Sequence, residues 1–311
     1  MNDPNGLVYF DGLYHLYYQY NPREPQWGPV HWGHAVSEDM IHWQHHSVAL
    51  SPTEPVGMPM SGCVVADVAD TVDRFGGGPG LVAVYSTETL PADGSRGTQQ
   101  QCIATSHDGG ETWDPFEGNP VIENPGIFDF RDPKVFWYAP DREWKMILAA
   151  GDRVQFYGSP DLREWRFLSE FGAEAGAHDG EWECPDLVEL PLPAGSAPAT
   201  DHAGLSGSTL WLLTVSVGKV SSPTVLGIQC FLGDFDGTRF AERVDATGAE
   251  GPPVRWVDRG HDFYAAHAWF GLPPEAGRHI WLGWMNRWSY AEKLPTTPWR
   301  GALTFPREVR L

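Results

Sequence analysis

Lysine is almost missing from this chain: Lys134, Lys145, Lys219 and Lys293 are all it has in 311 residues. Acidic side chains outnumber basic ones 41 to 21, and the formal net charge is -20. Such a surface repels polyanions, so nucleic acid and anionic membrane are both rejected as partners. No run of about 18 apolar residues exists, so no membrane-spanning helix is expected. No basic segment followed by an apolar one opens the chain, so no signal peptide is read. The four cysteines, Cys63, Cys102, Cys184 and Cys230, are far apart, and none belongs to a Cys-x-x-Cys pair. That excludes the usual zinc and disulfide frameworks and leaves reduced, mostly buried thiols as the default. His31, His34, His42, His45 and His46 crowd one region, but no carboxylate stands at ligand spacing with them, so no metal site is expected. Finally, no long segment keeps the 3.6-residue period of an amphipathic helix.

Turn formers and short apolar runs fill the chain instead. There are 35 glycines and 27 prolines, and apolar runs recur at 81–85, 135–138, 145–149, 154–157, 210–217, 226–232 and 279–284. This is the pattern of an all-β chain. The stretch 193–207 is small, polar and rich in Pro and Gly, and it reads as a surface loop within the domain. Pro252-Pro253 and Pro273-Pro274 mark further turns. A weak repeat is present: Ser37-Glu38-Asp39 leads to Trp43, Ser106-His107-Asp108 to Trp113, and Ser159-Pro160-Asp161 to Trp165. The segment from Gly233 through Asp234 and Asp236 to Phe240 reads as a fourth copy. The spacing is near that of one four-stranded blade, and the chain length then gives roughly five blades. Ser-x-Asp is also a common turn opening, but the aromatic that follows each copy argues against coincidence. The 15 Trp residues exceed what a core alone uses; most are core, and a surplus on a β scaffold suits stacking against a sugar face.

Three acidic stretches carry the candidate chemistry. The first is Met1-Asn2-Asp3-Pro4-Asn5-Gly6, followed by strands at 7–10 and 13–20 around Asp11-Gly12, a strong hairpin signal. Asp3 therefore stands at the mouth of a strand, although these residue types also describe an ordinary turn. The second, Arg131-Asp132-Pro133, precedes a strand at 134–138 and reads as a positioned ion pair or as a surface turn. The third, Glu183-Cys184-Pro185-Asp186, precedes a strand at 187–190. Trp182 stands beside it, and an apolar wall there raises a carboxyl toward general-acid duty. Acids at the starts of well-separated strands are what successive blades aimed at one central pocket require. Two carboxylates flanking a bond are the usual equipment for glycoside cleavage.

These three motifs, in this order, resemble the signatures of glycoside hydrolase family 32, the β-fructofuranosidases. Residues 14–22 (YHLYYQYNP) and 32–35 (WGHA) match as well, and the resemblance runs from the first residue to the last. It implies an all-β fold, a five-bladed β-propeller filling 1–311 as a single catalytic domain. By matched position it implies that Asp3 is the nucleophile, Glu183 the acid/base and Asp132 a transition-state stabiliser that binds fructose hydroxyls. Asn2, Gln19, Trp27, Ser61 and Arg131 match sugar-contacting positions, and either Trp284 or Trp288 adds an aromatic wall. The implied reaction is retaining and needs neither cofactor nor metal.

Asp129-Phe130, Gly151-Asp152-Arg153, residues 262–266 (DFYAA) and the stretch from Trp284 through Trp288 to Gly301 resemble microbial levanases and exo-inulinases more than plant invertases. The expected substrate is thus β-fructan, levan or inulin, cut from its end, with sucrose as a second one. The same residues would serve an invertase or a fructosyltransferase; a fructan-binding propeller without turnover is the rival from another class. The family's usual Phe-Ser-Gly-Ser is Met60-Ser61-Gly62-Cys63 here, so Met60 replaces a Phe wall of the fructose pocket. The family's usual Trp before the first motif and its C-terminal β-sandwich are absent from this sequence. The expectation drawn from this is a chain truncated at both ends.

Overall fold

A computed structural model describes the chain except residues 55, 90, 92, 94, 96, 194–198, 201–205, 219–226, 244–253 and 274–276. Alternating apolar residues and tight turns make the first four strands one antiparallel blade: β1 (Pro4–Phe10), β2 (Leu13–Tyr20), β3 (His31–Ser37) and β4 (Gln44–His45). Asp11 and Gly12 both have positive φ, 48° and 83°, as a two-residue hairpin turn needs to match strand twist. The second blade is β5 (Met58–Asp67), β6 (Gly80–Glu88), β7 (Gln99–Ser106) and β8 (Asp114–Pro115). The third is β9 (Phe130–Tyr138), β10 (Glu143–Ala150), β11 (Val154–Ser159) and β12 (Arg166–Phe171). In the fourth, β13 (Glu181–Pro191) is followed by a small hairpin, β14 (Ala199–Thr200) with β15 (Ser206–Gly207), before β16 (Thr209–Gly218), β17 (Gly227–Phe235) and β18 (Phe240–Glu242) complete the sheet. The fifth has three strands: β19 (Tyr264–Ala268), β20 (His279–Trp284) and β21 (Arg307–Val309).

The innermost strands β1, β5, β9, β13 and β19 touch in that cyclic order, so the five sheets close into a β-propeller. Closure is made directly: Phe270 N donates to Leu7 O at 2.8 Å, and Tyr9 N to Phe270 O at 2.9 Å. Apolar side chains fill each boundary between blades. Val8, Tyr17 and Trp32 meet Leu81 and Ala83 between the first two blades, and Leu7 and Leu16 meet Ile280 and Leu282 at the closure. Each such side chain contributes about 1.5–3 kcal/mol on full burial, whereas an exposed ion pair contributes about 0–1 kcal/mol. The interblade cores therefore hold the ring. Among the described residues no α-helix is present; Ala291–Lys293 forms one 3₁₀ turn.

The repeat read in the sequence is the turn between the third and fourth strands of blades one to four. In each, the aspartate caps backbone N–H groups: Asp39 accepts from Ile41 and His42, Asp108 from Glu111 and Thr112, Asp161 from Arg163 and Glu164. Asp236 does the same for Thr238 and Arg239. Of the stretch read as a loop at 193–207, much lies outside the described residues, as do Leu226, Pro252, Pro253 and Pro274. The described part of that loop is the β14–β15 hairpin rather than irregular chain.

All five innermost strands are irregular at the same level. Register breaks occur between Asn5 and Val8, Pro59 and Gly62, Glu183 and Asp186, and Tyr264 and His267; β9 breaks opposite Ile147 to Ala149. Gly6, Asp132, Cys184 and Ala265 have positive φ at four of these points. A bulge bends its strand and re-aims the side chains around it. At Gly6 (φ +52°) a Cβ would lie 2.6 Å from the Tyr17 ring and 2.7 Å from Val64, so only glycine fits. The sequence expects 131–133 and 183–186 to stand before strands. Both lie inside β9 and β13, because a bulge is a property of pairing with the neighbouring strand and leaves no local mark.

Candidate active site

The bulges gather one carboxylate from each of three blades at one end of the central channel. Asp3 precedes β1, Asp132 sits at the β9 bulge and Glu183 at the β13 bulge. They line a funnel of about 720 Å³.

Asp3 is gripped from three sides. Asn2 Nδ2 donates to its Oδ1 at 3.0 Å; Ser61 Oγ and Gln19 Nε2 donate to its Oδ2 at 2.8 and 3.3 Å. Those donors are themselves tied together. Asn2 donates to Gln19 Oε1 at 2.8 Å, and Gln19 Nε2 lies 2.6 Å from Ser61 Oγ. The carboxylate is thus locked in orientation, as a group that must meet a reacting atom requires. Burial, and then the nearby Glu183 charge, push Asp3 up to about 6 against the pull of Asn2, Ser61 and Cys184.

Asp132 Oδ2 accepts the backbone N–H of Cys184 at 2.9 Å, while the Asp132 N–H donates to Ser86 Oγ at 2.8 Å. Burial raises Asp132 to about 7; Arg131 opposes the rise, and Glu183 and Asp3 add to it. The Cys184 sulfur stands 3.7 Å from Asp3 Oδ2 and 3.6 Å from Asp132 Oδ2. Burial, then the surrounding carboxylates, hold that thiol well above its ordinary range, so it stays an S–H donor between them.

Glu183 is held by two neighbours. Arg131 Nη2 donates to its Oε1 at 3.0 Å, and the Tyr264 hydroxyl donates to its Oε2. Burial and then Glu183 push Tyr264 well above its usual value, so the phenol remains a donor. Arg131 also donates to Asp129 and lies 3.8 Å from Asp132. Burial works against its charge, but Glu183, Asp132 and Asp129 outweigh this and hold it well above its ordinary value. One guanidinium therefore offsets part of the repulsion among the acids.

The matched residue set converges with one exception. Asn2, Gln19, Ser61 and Arg131 contact the acids directly, and Trp27 (43% exposed) and Trp288 form the funnel wall. Trp284 is only 2% exposed and packs behind Trp288, ring centroids 4.8 Å apart. Of the two, Trp288 lines the funnel and Trp284 lies behind it. Trp182 does not stand against Glu183. Successive strand residues face opposite ways, and Trp182 is buried between the third and fourth blades with Phe156 and Phe231, its Nε1 donating to Ala177 O at 2.8 Å.

A family model for the glycosyl hydrolases family 32 N-terminal domain matches residues 1–311. The chain belongs to glycosyl hydrolase family 32. It is 48% identical over its whole length to a levanase of Bacillus subtilis, covering 43% of that protein. To an extracellular exo-inulinase of Aspergillus awamori it is 39% identical, covering 60% of the protein. The chain thus spans about half the length of the curated relatives it matches. The crystal structure of the Aspergillus awamori exo-inulinase superposes with a TM-score of 0.86 at 38% identity, over 100% of this chain and 62% of that one. A fructofuranosidase from Schwanniomyces occidentalis complexed with fructose superposes with a TM-score of 0.85 at 35% identity, over 100% of this chain and 57% of the other.

Within this family 32 propeller, sequence reasoning missed four residues at the site. Asp129 and Tyr264 stand in stretches that mark the levanase-like subgroup, but nothing local says that one braces Arg131 and the other Glu183. Cys184 was visible only as the neighbour of Glu183. Gln99, whose Oε1 lies 3.4 Å from Arg131 Nη1, comes from the second blade and carries no local signal.

Proposed function

We propose that this propeller is a retaining glycoside hydrolase that releases terminal fructose from β-fructans, with sucrose as a smaller substrate. The observation that carries this reading is the shared grip on the acids. Asp3 is fixed by three donors, while Glu183 is held by a different pair on the other side of one funnel. A pair of differently held carboxylates is what a double displacement needs. Asp3 attacks the anomeric carbon of the terminal fructose while Glu183 gives its proton to the departing glycosidic oxygen. The fructosyl ester on Asp3 is then attacked by water. Glu183 takes the proton from that water, and the carboxylate of Asp3 leaves as fructose forms. Asp132 contacts the sugar hydroxyls, and those contacts tighten as positive charge develops on the ring. Trp27 and Trp288 stack on the sugar faces.

The levanase-like stretches, and the names of the relatives, support polymeric fructan over sucrose as the main substrate, and a pocket at the channel end supports attack from the chain terminus. Transfer of the fructosyl group to another sugar uses the same steps with a sugar hydroxyl in place of water. The test is fructose release from levan, inulin and sucrose by the wild type and by Asp3→Ala and Glu183→Ala. Fructose is expected from the first time point without a ladder of oligosaccharides. Each variant should lose about 10³-fold or more in kcat with an unchanged circular dichroism spectrum. A variant that keeps a tenth of the wild-type rate removes that residue from its role. No release by the wild type leaves fructan binding without turnover.

A further inference from the structure

The histidine-rich region of the first blade acquires in the fold the carboxylate that it lacks in sequence. His34 lies on β3 and His46 just after β4, while Glu111 comes from the β7–β8 turn of the second blade. Ligand atoms of the three lie within 4.8 Å of one another. His34 is 1% exposed, and its Nδ1 is buried without a hydrogen-bond partner among the described residues; the same is true of His46 Nε2. His46 Nδ1 already faces Glu111 Oε1 as an ion pair; buried polar atoms are normally paired, so the unpartnered His34 Nδ1 next to this pair asks for a ligand. The other nitrogen of His34 is spoken for. His34 Nε2 and His15 Nδ1 are 3.1 Å apart, with the two rings stacked at 12°. The His15 ring also bonds the Phe10 backbone; with its Nε2 donating there, Nδ1 is an acceptor. His34 then donates from Nε2, and its Nδ1 carries a free lone pair. A metal-bound imidazole commonly donates its other ring N–H to a fixed acceptor, and His15 Nδ1 takes that place for His34.

We propose that His34, His46 and Glu111 bind a divalent transition metal of the zinc type and so clamp the first blade to the second. Two imidazoles and one carboxylate suit zinc or cobalt rather than calcium or magnesium, which prefer all-oxygen shells. The half-exposed Glu111 side chain gives the ion a way in from solvent and leaves room for water as a fourth ligand. The clamp would stand apart from the funnel, since none of these three residues lines it. It would reinforce a contact already present, the Tyr17 hydroxyl donating to Gly110 O at 3.2 Å beside Glu111.

The test uses the whole chain, stripped with chelator, incubated with zinc chloride and desalted. One equivalent of zinc should remain by elemental analysis, the melting temperature should rise, and chelator should reverse both. Cobalt chloride should give visible d–d bands of a four-coordinate site. Glu111→Gln, His46→Gln and the double variant, all at exposed or half-buried positions, should keep the apo melting temperature yet lose the retained zinc and the cobalt spectrum. The double variant also controls for loose binding to the acidic surface. No retained zinc in the wild type, or equal retention in the double variant, overturns the proposal. Fructose release is expected to be unchanged throughout, so the outcome is independent of the catalytic reading.

Discussion

Arg131 Nη2 donates to Glu183 Oε1 at 3.0 Å across the boundary between the third and fourth blades. The same guanidinium reaches Asp129 and stands 3.8 Å from Asp132. A lysine carries equal charge, but as a single point without the planar fork that serves several acids at once. Arg131→Lys should therefore lower kcat/KM for levan by about 10²-fold, near 3 kcal/mol, while the chain stays folded. Initial rates together with circular dichroism check this, and a loss of less than tenfold would show that charge alone suffices.

In the proposed reaction Asp3 must be ionised to attack. Burial and then Glu183 push it up to about 6, so the acid limb of kcat/KM should rise through that region. Asn2 is one of the donors that oppose the shift. Asn2→Ala should therefore move the acid limb to higher pH. Rates at subsaturating inulin across the acid and neutral range give both curves. A wild-type rate that stays undiminished well below pH 5 would contradict the raised value.

The raised Asp132 also makes a stability statement. Its folded value of about 7 lies above the ordinary 3.8, so between those limits the folded state binds the proton more tightly than the unfolded one. Stability from this group is full below the unfolded value and is lost as pH rises through the folded one. Asp132→Asn has no charge to lose, and its amide oxygen still accepts the Cys184 N–H. The variant should melt several degrees above wild type at pH 8 and no higher at pH 4, while turnover falls severely. Equal melting temperatures at pH 8 would mean that Arg131 already offsets the whole cost.

Tyr264 donates its hydroxyl to Glu183. Removing one hydrogen bond to a charged group is worth about 1.5–3 kcal/mol. Tyr264→Phe keeps the ring that packs against Trp284 and Ala265. The expected result is a kcat lower by about tenfold or more with KM little changed. A change confined to KM would move Tyr264 from positioning the acid to binding the sugar.

What could be read from sequence was local. The Asp11-Gly12 turn, the four aspartate-capped turns and the three acid motifs each declare themselves within a few residues, because turn chemistry and capping act over that range. The bulges at Asp132 and Cys184 do not, since register is set by the partner strand. The same holds for Tyr264 beside Glu183 and for Glu111 beside His34 and His46, contacts that exist only once the blades are arranged in a ring. Trp182 misled for a related reason: adjacency along a strand places two side chains on opposite faces, so the nearest neighbour in sequence is among the least available in space.

The boundary between the last blade and the first is bridged by backbone hydrogen bonds. Where the last blade meets the first, the backbone exchange between Phe270 and Leu7–Tyr9 closes the circle, and Gly301 presses on the backbone of Met1, two residues from Asp3. Local opening there would disturb Asp3 without rupturing a sheet from within. Fructose release is therefore expected to fall at a lower denaturant concentration than the circular dichroism signal of the blades, as parallel titrations would show.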